Sequence, residues 1–208
     1  MTKKIMPKRG RPRKFDPDRA TEVAQNLFHA YGYDNVGVVR LAKDIGIEQP
    51  SLYAAFGNKL GLFKAVVERY AHGDGAFIPA AFAGAQTVTE GLKRMLEAAA
   101  DLYSRDNGRA GCLIMEGAHG AHDEGARSLC AEKRAATEAF ISGYVETRHP
   151  GRGEDVAAMT MIALAGLSAS ARAGMTGEQL LKFSHIAADA LRSLIETNVA
   201  KPAREIKP

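Results

Sequence analysis

No stretch of the chain approaches the ~18 consecutive apolar residues that a membrane-crossing helix requires, and no apolar segment follows the N-terminal lysines as in a secretory leader. The expectation is a cytoplasmic protein. Cysteine is scarce: Cys112 and Cys130 are the two in 208 residues, too few to frame a disulfide scaffold and too generic in spacing for a zinc site. Reduced thiols are therefore expected. Alternating apolar and polar segments are missing, so strands are not needed. A Gly-rich phosphate loop, a Ser-His-Asp arrangement and a convincing metal set are missing as well, which removes the grounds for an enzyme. No cofactor is expected.

What is present is an ordinary globular composition, 46% hydrophobic and 25% charged residues, enough for a packed core. The net charge of +4 is unevenly spread. Residues 1–14 hold Lys3, Lys4, Lys8, Arg9, Arg11, Arg13 and Lys14 with no acid, +7 in all, which leaves −3 for the other 194 residues. A mildly acidic globule with a strongly basic tail points to a polyanion gripped by the tail.

Apolar residues recur at helical spacing nearly everywhere, so the fold reads as all-α. Asp16 and Pro17 open a first helix whose stripe is Ala20, Val23, Ala24, Leu27, Phe28 and Tyr31, stopped by Gly32. A short helix over about 38–44 ends at Gly46, and another runs from near Glu48 to about Ala55 with Leu52 and Phe56 inward. Asn58 caps the next, with Leu62, Phe63, Val66, Val67 and Tyr70 on its stripe. Beyond His72 the composition shifts to Ala and Gly. Thr87 with Glu90, and Thr176 with Gln179, read as capping boxes for helices reaching Tyr103 and the C-terminal region. Helices around Cys112 to Met115, over about 123–147 and over 154–173 lie between them, the last two separated by His149, Pro150, Gly151 and Gly153.

Two short helices hinged at a glycine, the second amphipathic, are the organisation of a helix-turn-helix. Here Phe28, Gly32, Leu41, Ala42, Gly46, Ile47, Ser51, Leu52, Tyr53, Phe56, Lys59, Leu62 and Phe63 fall where the TetR/AcrR-type repressors place their signature. The segment "GIEQPSLYAAFGNK" resembles that family's recognition helix and the cap that follows it. The resemblance covers about residues 16–63; the rest is similar in length and helical content. It implies a DNA-binding regulator with Gln49, Pro50 and Ala54 at base edges, an amide suiting adenine and a proline a thymine methyl. Ser51, Tyr53 and Lys59 would grip phosphates; on spacing alone, Tyr53 packs and Lys59 is a solvated cation. The sequence departs from the family at Val36 and Gly37, where a hydroxyl usually opens the second helix; the missing cap is worth ~1 kcal/mol.

The arm "KRGRPRK" at 8–14 resembles an AT-hook, with Arg9, Arg11 and Arg13 suited to a narrow A·T-rich minor groove; a solubilising tail is the other reading. The organisation expected is arm 1–14, helix-turn-helix 15–57, connecting helix 58–72, regulatory and dimerisation region 73–200 and flexible tail 201–208. A twofold operator asks for a twofold protein, and the last two helices offer Met159, Ile162, Gly166 and Ser170 on one and Leu180, Phe183, Ala187 and Leu191 on the other. The resemblance implies a small-molecule effector. Met95, Leu102, Tyr103, Met115, Phe140, Tyr144 and Met159 are candidate pocket walls, although methionines and aromatics on helical stripes are more often core. His119, His122 and Asp123 read as a polar loop or a metal set, and Cys112 as a core thiol or a redox sensor. Together these readings give a homodimeric repressor released from a palindromic operator by a ligand, the alternative being a ligand-independent architectural protein favouring A·T-rich DNA.

Overall fold

A computed structural model describes residues 15–105 and 109–197, so the basic arm and the C-terminal tail lie outside the described residues. Among the described residues there are ten α-helices and no strand. Helix α1 (Pro17–Tyr31) starts where Asp16 accepts hydrogen bonds from the amides of Asp18 and Arg19. A side-chain oxygen here satisfies amides that the first helical turn leaves unpaired. Helices α2 (Val38–Ile45) and α3 (Gln49–Phe56) meet at Gly46, whose left-handed backbone (φ 82°) lets its N–H and that of Ile47 return to the α2 carbonyls. Gly37 opens α2 without a side-chain cap, as the sequence implied. Helix α4 (Lys59–His72) starts at Asn58, whose side chain accepts from the Gly61 amide.

A 3-10 turn at Asp74–Ala76 and a short α5 (Phe77–Phe82) follow, neither of them expected from the residue pattern. Then come α6 (Val88–Tyr103), α7 (Leu113–Glu116), α8 (Glu124–Glu146), α9 (Gly153–Arg172) and α10 (Gly177–Glu196). Thr176 and Gln179 form the expected reciprocal capping box. The Thr87 half of the other box forms, but the Glu90 carboxylate takes the Gln86 amide instead of returning to Thr87.

The three N-terminal helices and α4 close over Phe28, Tyr33 and Phe63, whose rings lie 4.9–5.7 Å apart. Leu41, Leu52 and Leu62 complete this core without any exposure. Tyr31, expected on the inner stripe, is exposed, with the Arg40 guanidinium stacked on it at 4.0 Å. Tyr33, just past the Gly32 turn, takes the inner place. The same cluster of buried side chains continues through the C-terminal helices, including Leu92, Met95, Leu96, Ile141, Leu164 and Leu180. Among the described residues no helix is long and apolar enough to cross a membrane.

Candidate nucleic-acid interface

Helix α3 is held by one fully buried side chain, Leu52, with Phe56 half-buried at its end. Gln49, Pro50, Ser51, Tyr53 and Ala54 are all exposed. Pro50 suits the first turn, where a missing N–H leaves no intrahelical bond unmade. The two expected classes of DNA contact therefore share one solvated surface, led by the helix N-terminus that enters a groove in this motif. Tyr53 does not pack; its ring is half in solvent.

Lys59 stands apart from that row. Its ammonium lies 4.1 Å from the centre of the Tyr33 ring, and partial burial lowers its pKa, opposed by the charges of Asp34 and Asp123. The Gly61 amide beside it is already taken by the Asn58 cap. A phosphate contact by Lys59 would first have to lift it off Tyr33, so the geometry places Lys59 at an internal junction. The arm residues Arg9, Arg11 and Arg13 lie outside the described residues.

That junction ties the N-terminal helices to the rest. The Tyr33 hydroxyl donates to the Asp123 carboxylate at 3.0 Å, and the Tyr33 amide donates to the Gly117 carbonyl at 2.8 Å. Asp34 pairs with His122 at 2.7 Å, and accepts from the His122 amide as well. Those bonds hold the Asp34 carboxyl below its ordinary pKa. His122 and Asp123 thus serve contacts between elements, Asp123 also capping α8, while His119 is exposed. No group of three possible metal ligands occurs among the described residues.

Deeper in the junction, His29 holds the Gly111 carbonyl through Nε2 at 3.1 Å, while its Nδ1 is buried without a partner. Arg172, at the end of α9, donates to the His29 carbonyl at 2.6 Å. Burial first, then the Arg172 charge, push the His29 imidazole from 6.5 down to about 4. A second proton would fall on Nδ1, which has no acceptor. The unfolded chain binds that proton at higher pH than the folded one, so stability is whole above pH ~6.5 and falls as the pH drops toward 4. Urea unfolding at pH 7.5 and pH 4.5 should differ by about 2–3 kcal/mol through this group, and the difference should vanish in His29→Gln. Equal pH dependence in both proteins would remove His29 as its source.

A cavity of about 260 Å³ lies between α4, α5, α7, α8 and α9, with the end of α6. Of the expected pocket residues it brings together Tyr103, Met115 and Phe140. Met95 is buried in the core, Leu102 faces a shallow surface depression, Tyr144 packs on Phe82 at 4.6 Å, and Met159 is exposed on α9. Stripe periodicity found these residues, but it cannot say which apolar side chains meet a neighbour and which meet a gap. The polar wall was missed: Tyr70, Cys112, Lys133, Arg134 and Thr137. Cationic Lys133 and Arg134 at half-buried positions of α8 were the one signal available.

On α9 and α10, Met159, Ile162, Gly166 and Phe183 are exposed, with Ser170 and Ala187 half-buried. Leu180 and Leu191, expected in the same face, are fully buried within the chain instead. The inner row of α10 is Leu180, Ser184, Leu191 and Ile195, which packs on α6 and α9; Phe183 and Ile186 look outward.

Two short helices about a left-handed glycine, the second anchored by one leucine and otherwise solvated, define a helix-turn-helix DNA-binding regulator. The profile of the bacterial regulatory proteins, tetR family, matches residues 20–66. The HTH-type transcriptional repressor BdcR of Escherichia coli K12 is 38% identical over 94% of this chain and 99% of its own length. The repressor ComR of the same organism is 30% identical over 88% of this chain and 92% of its own. Among solved structures, the TetR family regulator CifR, a cysteine-substituted form complexed with 26-bp double-strand operator DNA, superimposes with a TM-score of 0.79 at 28% identity, covering 87% of this chain and 99% of that one. The chain belongs to the tetR family of bacterial regulatory proteins.

Proposed function

We propose that the protein is a cytoplasmic, homodimeric transcriptional repressor that reads a palindromic operator through α3 and leaves it when a small molecule fills the cavity between α4 and α8. The observation that carries this reading is the exposed row Gln49, Pro50, Ser51, Tyr53 and Ala54 above the buried Leu52. Gln49, Pro50 and Ala54 face base edges; Ser51 and Tyr53 position the helix on phosphates. The arm, with Arg9, Arg11 and Arg13, adds electrostatic grip in the minor groove. Residues 15–57 form the reading head and 73–200 the regulatory part. No catalytic role is assigned.

A second copy of the chain covers α9 and α10. Ile162 is 66% exposed and Ile186 52%, unusual for large apolar side chains on adjacent helices, and a Cβ added at Gly166 would meet nothing of its own chain. Paired hairpins of this kind bury their faces as an intermolecular four-helix bundle. Effector release then works through the junction: α7 and α8 line the cavity and also carry the loop that holds Tyr33 and Asp34. A ligand preferring a shifted α7 and α8 moves the heads out of register with adjacent grooves, by no more than its differential affinity for the two states allows.

Fluorescence anisotropy on DNA from the protein's own upstream intergenic region, against scrambled DNA, tests the reading. Preference for the native region is expected, bound as a dimer, and lost together with dimerisation in the double variant Ile162→Glu, Phe183→Glu. Equal binding to both DNAs would favour an architectural role for the basic arm.

A further inference from the structure

The walls of the cavity are apolar for the most part, with Phe77, Ile78, Ile114, Met115 and Phe140 prominent. Two polar groups break that lining with hydrogen-bonding capacity that the protein leaves largely unused. The first is the Tyr70 hydroxyl. Tyr70 is 2% exposed and its oxygen makes no hydrogen bond. Burial first and then the nearby Cys112 thiol raise the Tyr70 pKa, with the Leu113 backbone N–H opposing them, but neither neighbour meets hydrogen-bond geometry. The hydroxyl therefore keeps its proton and remains a donor without an acceptor. A buried donor left unpaired is costly, and each one in a folded protein calls for a partner.

The second is Arg134. Its neighbour on α8, Lys133, is neutralised by Glu68 at 2.8 Å. Among the described residues Arg134 has no carboxylate partner; its guanidinium donates to the Ile114 carbonyl at 3.3 Å, a weak use of a group with five donors. The cavity thus carries one uncompensated positive charge on its wall and, on Tyr70 just behind its lining, one idle neutral donor.

From these two groups we infer that the cavity binds a small apolar monoanion, an aryl or medium-chain carboxylate, whose acid group pairs with Arg134 while an oxygen accepts from Tyr70. Arg134 suits a carboxylate because its planar fork offers two parallel N–H groups to the two oxygens. The size of the cavity, near 260 Å³, sits below the ~300–1,000 Å³ of drug-sized pockets. It restricts the remainder to one or two rings or a short chain. The inference rests on the reading of this cavity as the effector site and specifies its chemistry.

Isothermal titration of the free full-length protein with 2-naphthoate and octanoate, each against its neutral amide, tests it. At least one carboxylate is expected to bind, at least about tenfold more tightly than its amide, the margin of a charge-assisted pair. Arg134→Gln should erase that margin, Arg134→Lys should keep most of it, and Tyr70→Phe should weaken acid and amide alike. Binding of neither carboxylate, equal binding of acid and amide, or a margin that survives Arg134→Gln would each overturn the inference. Adding the bound carboxylate to the protein on DNA separates the two claims. Binding without release of DNA would keep the ligand chemistry and sink the effector reading. Release by a neutral compound, with no carboxylate bound, would do the reverse.

Discussion

Gln49→Ala is expected to lower affinity for the native operator by about 10- to 100-fold per half-site, the worth of one bidentate amide contact to an adenine edge. In a twofold complex both half-sites lose it, so the combined loss reaches about 10²–10⁴-fold. Affinity for scrambled DNA should hardly change, because Gln49 carries no charge and grips no phosphate. The salt dependence should be unchanged for the same reason, whereas removal of residues 1–14 should flatten it by up to ~0.9 in log-log slope for each phosphate released. The expectation stands on position: Gln49 is the first residue of α3, exposed, and no side-chain hydrogen bond holds it within the described residues. An anisotropy titration on native and scrambled DNA decides it. A uniform loss on both DNAs would make Gln49 a positioning contact, and unchanged affinity would move base reading elsewhere.

Phe28→Ala is expected to cost about 3–5 kcal/mol, the usual penalty for emptying a buried phenyl site. In a chain of this size that lowers the unfolding midpoint by about 6–20 °C. Phe28 is fully buried and touches both Tyr33 and Phe63, stacked on the first and edge-on to the second. The cavity left behind cannot collapse without disturbing the Tyr33 ring, which carries Lys59 on its face and Asp123 on its hydroxyl. Tyr31→Ala, three residues further on α1, is the control: its ring is half in solvent, and the loss should stay below ~1 kcal/mol. Calorimetry of both variants reads the outcome. Equal losses would mean that α1 does not turn Phe28 inward and Tyr31 outward.

The contrast between those two aromatics shows where the amino-acid sequence is informative. Caps and hinges are local, so Asp16, Asn58, Thr176 and Gly46 could be read directly: each chooses its backbone partner within four residues. The exposed row of α3 was legible for the same reason, given the family resemblance. Tyr31 was misplaced because it sits at a helix end, where the stripe gives way to the Gly32 turn and Tyr33 reaches the core first. Leu180 and Leu191 were misplaced because α10 is apolar on more than one side. A stripe shows that a face must be covered; whether by the same chain or by another is a tertiary matter. The junction of Tyr33, Asp34, His122 and Asp123 was beyond reach, since its members lie about 90 positions apart. Only packing brings them together.

Because α3 is pinned by Leu52 alone, with Phe56 as a half-buried stop, six of its eight positions face water without supporting the interior. Exchange of Gln49, Pro50, Ser51, Tyr53 or Ala54 is expected to change what the head recognises while leaving its folding largely untouched. Target choice in this chain is in that sense a replaceable cassette. A duplicated copy is expected to acquire a new operator in a few substitutions while the remaining helices keep their packing, so that a different reading row can be grafted onto the same body.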